Sequence, residues 1–247
     1  MAADPQPRSS EQPPTAAPKP SSFDHVALWV SQREALADLA CRHLGMHEIE
    51  RTDSFTLVGV DARLGKLTLF DAPGPRAAGA LSRVALRVDD VEAALGRLPA
   101  ALAVATAADG VPGLAAPDGL RIGLVPTRDG QTSFDLDHVL LGVPDVPRTA
   151  DRLAQMGFDR ASEALAIADR HVRLGPAPAA APVTGERPLL NHLALLVDDV
   201  RGFLAASDPA VAVDEFKDAP NTFAAFVTGP AGVRIEYVEH KPGFSLV

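Results

Sequence analysis

Apolar and polar positions along this chain follow two periods, in an order that repeats four times. A stretch of period two, which sends successive side chains to opposite faces of a strand, runs into one whose apolar residues recur every three or four positions, as on a helix face. The four copies are FDHVALWVSQREALADLA from Phe23, SRVALRVDDVEAALGRL from Ser82, LDHVLLGVPDVPRTADRLAQMGF from Leu136 and NHLALLVDDVRGFLAA from Asn191. Gly45 and Gly157 follow the first and third helical stretches, where a left-handed residue closes a helix. In LVDDV, Asp198 or Asp199 is placed to cap the helix that follows. Short β-prone stretches come next, and each set closes on a strand: GKLTLF from Gly65, GLRIGLV from Gly119, RHVRLG from Arg170 and GVRIEYV from Gly232. Each unit therefore reads strand, helix, then about three strands over roughly 50 residues. Units two and four are the most alike, PDGLRIGLVP against GPAGVRIEYV.

The stretch PTRDGQTS, from Pro126 to Ser133, reads as a linker between units two and three. The opening MAADPQPRSSEQPPTAAPKPSS is rich in Pro, Ala and Ser, and residues 1–21 are expected to be a disordered tail. That opening has no apolar core of the kind a secretory signal needs, and no apolar run reaches the ~18 residues that span a bilayer. One cysteine, Cys41, excludes an internal disulfide framework and fits a reducing compartment, so a cytoplasmic location is expected. Cys41 falls on a helix pattern and reads as a small packed residue. The chain carries 23 basic and 32 acidic residues, a net charge of −9, with no basic stripe, which argues against a nucleic-acid partner. Its 47% hydrophobic content is that of a soluble globular protein. Whether copies assemble is left open.

Paired βαβββ units with a histidine at the start of strand one resemble the vicinal-oxygen-chelate superfamily. This superfamily includes glyoxalase I, extradiol ring-cleavage dioxygenases, certain epimerases and bleomycin-resistance proteins. The resemblance runs from Phe23 to His240. It implies an α+β fold of four βαβββ units in two tandem vicinal-oxygen-chelate domains with curved, funnel-forming sheets. The expected domains are 22–128, a metal-free scaffold, and 134–243, which carries the metal site.

The units can be compared position by position. The strand-one position holds His25, Arg83, His138 and His192, and the last-strand position holds Thr68, Gly123, Arg173 and Glu236. Glu236 shares a strand face with Arg234 and Val238, opposite Ile235 and Tyr237. Two imidazoles and a carboxylate form the ligand set of non-haem Fe(II) oxygenases, with positions left open for substrate and O₂. By resemblance, His138, His192 and Glu236 are the expected ligands, and GPAGVRIEYV resembles the stretch around the family's glutamate ligand. The expected metal is Fe(II), with Mn(II), Zn(II), Co(II) or Ni(II) as alternatives. His25 has no acidic partner in its own domain and reads there as inherited from duplication. Glu236 has an alternative reading as the partner of Arg234 or Lys217.

Among the remaining candidates, His43 and His47 have helical spacing, but Gly45 interrupts them and they read as residues of a helix end. His171 is the histidine between 138 and 192, and by resemblance is the expected catalytic acid/base; an exposed residue on a strand edge is its alternative. Phe226 stands where ring-cleaving relatives commonly have a Tyr, ten residues before the Glu ligand. His240 shares the face of Glu236 if the strand continues. The resemblance is closest to type I extradiol dioxygenases, acting on a catechol-like aromatic diol with O₂. The alternatives are a metal-dependent glyoxalase-like isomerase, epimerase or lyase, in which Arg173 would meet an anionic substrate, and a small-molecule binding or resistance protein.

Overall fold

The computed structural model describes residues 19–74, 76–162, 164–177, 188–207 and 211–244. Most of the expected N-terminal tail lies outside these. Its last residues are tied down: Pro20 is buried, and Ser21 N–H donates to the Leu196 carbonyl at 2.8 Å.

All four units form as βαβββ. Unit one holds β1 (Ser22–Val30), α1 (Arg33–His43), β2 (His47–Arg51), β3 (Phe55–Gly59) and β4 (Lys66–Asp71). Unit two holds β5 (Leu81–Val88), α2 (Val91–Gly96), β6 (Val104–Thr106), β7 (Pro112–Ala115) and β8 (Arg121–Pro126). Unit three holds β9 (Leu136–Val143), α3 (Val146–Gln155), β10 (Asp159–Ala161), β11 (Ala164–Ile167) and β12 (Arg170–Pro176). Unit four holds β13 (Leu190–Leu196), α4 (Val200–Ala206), β14 (Val213–Asp218), β15 (Thr222–Thr228) and β16 (Arg234–His240).

Local chemistry explains these elements. Asp90, Asp145 and Asp199 cap α2, α3 and α4, each accepting a backbone N–H from the first turn. Gly45 and Gly157 take the left-handed φ values of 61° and 100° expected after α1 and α3.

The strands form two open eight-stranded sheets. The first has the order β14-β15-β16-β13-β1-β4-β3-β2, and the second β10-β11-β12-β9-β5-β8-β7-β6. Unit one therefore pairs with unit four, and unit two with unit three. The first of these pairings joins the 22–128 stretch to the 134–243 stretch through antiparallel β1 and β13, and the second does so through β5 and β9. One buried apolar cluster runs through strands of both sheets, including Val26, Leu86, Val139 and Leu193. Tyr237 joins them there: its hydroxyl donates to the Met156 carbonyl at 2.8 Å, and its ring lies 4.5 Å from that of Phe203.

Two features of register position the site. Within every unit, the residue two beyond the strand-one position sits opposite the last-strand position: Ala27 with Thr68, Ala85 with Gly123, Leu140 with Arg173, and Ala194 with Glu236. The cross-strand pairing also skips the residue before each strand-one position, leaving Asp24, Ser82, Asp137 and Asn191 as extra residues of β-bulges. A bulge re-aims side chains locally, so each of these residues can lie beside its neighbour instead of on the opposite face.

Candidate metal centre

Antiparallel pairing of β1 with β13 sets His25 opposite Ala194 and Ala27 opposite His192. Since Ala194 also pairs with Glu236, the register gathers His25, His192 and Glu236 on one face of the first sheet. The small side chains of Ala27 and Ala194 leave room between them. His25 Nε2 lies 3.1 Å from His192 Nε2, and Glu236 Oε2 lies 3.2 Å from the first and 2.9 Å from the second. Thr68 occupies the fourth equivalent position.

The residues before the histidines, on the bulges, complete the arrangement. Asp24 Oδ1 accepts from His25 Nδ1 at 2.8 Å, and Asn191 Oδ1 accepts from His192 Nδ1 at 3.0 Å. In its neutral form each imidazole is thereby held in the tautomer that keeps the Nε2 lone pair for a metal. Asp24 is itself held by Lys66 Nζ at 3.0 Å and lies 3.3 Å from His240 Nε2. Sequence reasoning missed Asp24 and Asn191; their signal was an acceptor immediately before each histidine, as in DH and NH.

Glu236 Oε2 is buried and close to both imidazoles, yet it has no directed hydrogen bond. The three atoms crowd one small space: Glu236 Oε2 is unsatisfied, and His25 Nε2 and His192 Nε2 lie within hydrogen-bonding distance of one another. Ligands about 2.1 Å from an ion lie about 3.0 Å apart at right angles and about 3.4 Å apart at tetrahedral angles. The observed 2.9–3.2 Å matches a right-angled facial set. Glu236 is not partnered by Arg234 or Lys217, which both turn to Glu215, at 2.5 and 3.3 Å.

Burial opposes charge on His25, but the carboxylates of Asp24 and Glu236 outweigh it and raise its pKa to about 9. Burial alone would raise the pKa of Glu236, yet His192 and His25 hold it below the usual carboxylate range. His192 is lowered, by burial first, against the pull of Glu236. Because folding raises the His25 pKa, its stabilisation of the metal-free chain is complete below its ordinary 6.5 and lost as pH rises through about 9. The melting temperature of the metal-free protein should fall across that window, and His25→Gln should flatten the slope. Metal uptake should strengthen with pH over the same interval, because His25 must lose its proton to bind. An equal slope in the variant would refute the assignment.

His138 and His171 are not part of this cluster. They sit opposite one another on β9 and β12, in the second sheet. His138 is fully buried; its Nδ1 donates to Asp137 at 2.7 Å, and its Nε2 lies 3.4 Å from an Arg83 guanidinium nitrogen. His25 rather than His138 stands beside His192 and Glu236, because sheet pairing joins β1 to β13 rather than following the order of the units. Burial lowers the pKa of half-buried His171, which stands in the second sheet rather than beside the triad. Arg173, Gly123 and Arg83 surround His138 where the first sheet has Glu236, Thr68 and His25. His43 Nδ1 lies 3.1 Å from the Arg97 carbonyl, and His47 lies exposed on β2.

Aromatic side chains line the face around the triad. Phe226, opposite Glu236 on β15, sets its ring edge-on to His192 at 5.2 Å, with the Arg234 guanidinium 4.0 Å above it. Phe70 lies 6.3 Å from His192 and 5.4 Å from each of Trp29 and Phe55.

Residues 22–105 match the model of the Glyoxalase/Bleomycin resistance protein/Dioxygenase superfamily. That match spans about a third of the chain, and the described chain shares its fold with the following solved structures. Among solved structures, a mutant glyoxalase I from Zea mays is similar at 16% identity and a TM-score of 0.74, covering 88% of this chain and 93% of the maize protein. A provisionally assigned dioxygenase from Bacillus subtilis is similar at 16% identity and a TM-score of 0.68, covering 92% of this chain and 88% of its own. The cppA protein of Streptococcus pneumoniae gives 16% identity and a TM-score of 0.56, covering 87% and 96%. At these identities the likeness is one of fold. No curated protein matches the chain in sequence. Superfamily members bind divalent metals and small molecules, and no helix among the described residues is long and apolar enough to cross a membrane.

Proposed function

We propose that the chain is a metal-dependent enzyme in which His25, His192 and Glu236 hold one divalent ion, Fe(II) first, and that it is an extradiol-type dioxygenase of a catechol-like aromatic. The observation that carries this reading is the buried Glu236 Oε2, unsatisfied by hydrogen bonds and 2.9–3.2 Å from two imidazole nitrogens. When bound, iron would supply Lewis acidity and one-electron chemistry to a substrate that chelates through two adjacent oxygens.

The chain's own residues would do the rest. Thr68, where a second carboxylate could stand as a fourth ligand, offers only a hydroxyl, which leaves ligand positions for substrate and removes the base that a proton-shuttling isomerase needs. Phe70, Phe226, Trp29 and Phe55 form an apolar, flat-sided wall suited to an aromatic ring. Arg234 and Lys217, over the Phe226 ring at 4.0 and 5.2 Å, place positive charge beside this wall for an ionised substrate oxygen. Asp24 orients His25 and connects it to Lys66 and His240. Asp24→Asn should weaken metal affinity by about 10–100-fold, as read by metal titration, and lower the melting temperature as well, since it leaves the buried Lys66 ammonium without its carboxylate.

Protein reconstituted with iron without oxygen should, on admitting air, consume O₂ and release a yellow ring-fission product from at least one catechol of a panel. Turnover that needs no O₂ in protein containing only zinc or nickel would instead make it a glyoxalase-like isomerase. Ligand binding unchanged by Glu236→Gln, with no turnover, would make it a binding protein.

A further inference from the structure

The second sheet repeats the geometry of the first with its charge inverted. Where the first has His25, Thr68, His192 and Glu236, the second has Arg83, Gly123, His138 and Arg173, in the same register. Arg83 fills the space before His138 that the first sheet keeps for an ion. It can do so because position 123 is glycine: a Cβ there would lie 2.8 Å from Arg83 Cδ and 3.0 Å from its Nε. Leu140 lies between Arg83 and Arg173, opposite each. The two arginines therefore stand one strand apart on either side, about 10 Å between backbones, within reach of one ligand.

We propose that this face binds a small organic carboxylate, gripped by Arg83 and Arg173, and that Asp109 is an internal carboxylate occupying the subsite until the ligand displaces it. Arg83 is buried and receives Asp109 as a fork, Nη1 to Oδ1 at 3.0 Å and Nη2 to Oδ2 at 2.5 Å. Planar two-point pairing is how a guanidinium recognises a carboxylate. Arg83 Nε remains buried without an acceptor, so the pair with Asp109 does not satisfy the group.

Asp109 is also built to leave. It sits on the turn from Ala107 to Val111, and its side chain is 40% exposed. Hydrogen bonds from Arg83 lower its pKa to about 2, and besides Arg83 its carboxylate accepts only a long bond, 3.3 Å, from the Val111 N–H of its own turn among the described residues. Half-buried Arg173, by contrast, has no ion pair to a described residue and shares its face with half-buried His171. A ligand carboxylate replacing Asp109 would keep the fork on Arg83 and gain Arg173, which Asp109 does not engage.

Calorimetric titration of the metal-loaded chain with succinate tests this. Asp109→Ala should tighten succinate binding at least tenfold, since it removes the competitor. Arg173→Ala should weaken it at least tenfold in both backgrounds, with metal content unchanged. Glu236→Gln should leave succinate binding intact, which separates this site from carboxylate bound at the metal and from the failure of the dioxygenase reading. Binding that is absent in both wild type and Asp109→Ala, unchanged by Arg173→Ala, or lost with Glu236→Gln would overturn the proposal.

Discussion

Replacing His25 by alanine should strip the chain of its metal and reduce turnover by more than about 100-fold, whereas His138→Ala should leave both within about twofold. His25 contributes one of three Nε2 or carboxylate atoms that crowd to 2.9–3.2 Å, and no other described imidazole stands near enough to replace it. Removing one ligand of three costs more than the 10–100-fold typical of the groups that merely orient ligands. His138 instead spends its Nδ1 on Asp137 and faces Arg83, a cation that repels a metal ion. Glu236→Gln should match His25→Ala, since a neutral amide neither balances an ion's charge nor binds it as a carboxylate. Elemental analysis of protein purified without oxygen decides the matter. Metal retained in His25→Ala and lost in His138→Ala would refute the assignment.

The second large effect concerns the junction of the sheets. Arg87 on β5 is 1% exposed and binds Asp169 at 2.5 Å, donates to the Leu136 carbonyl at 2.9 Å, and approaches Asp137 at 3.8 Å. Beside it, Asp135 accepts from Arg170 at 2.7 Å and from the Gly65 N–H of unit one at 2.8 Å, while Arg170 also donates to Ser22 at 3.1 Å. The first sheet is thus tied to the second through buried charge. Arg87→Ala would leave the Leu136 carbonyl without this donor and buried Asp137 and Asp135 with one cation fewer, while half-exposed Asp169 stays in water, which costs about 3 kcal/mol. In a chain of this length that lowers the melting temperature on the order of 10 °C. Arg87→Lys should recover only part of the loss, since an ammonium cannot fork between Asp169 and the Leu136 carbonyl. A loss below about 1 kcal/mol in denaturant titration would show that the network is not structural.

These effects separate what could be read in advance from what could not. The four βαβββ units, their helix ends at Gly45 and Gly157, and the Asp199 cap are all present, because each depends on neighbours within a few residues. Even the equivalence of Thr68, Gly123, Arg173 and Glu236 holds in the register of every unit. Two members of the expected ligand set, His192 and Glu236, lie together because they belong to one unit. His138 was expected from the order of the units along the chain. The structure sets His138 in the other sheet, since its place depends on pairing between units.

By itself, then, the sequence determined the units, their periodicity and the chemistry available at each equivalent position. Only the tertiary structure decided which units share a sheet. Strands β1, β5, β9 and β13 carry nearly the same apolar alternation, so any pair of them buries similar surface, and local pattern does not choose among the partners. The choice is made by long-range contacts such as Asp135 with Gly65 and Tyr237 with Met156. That choice brings His25 rather than His138 to Glu236, and gathers the arginines on the opposite sheet.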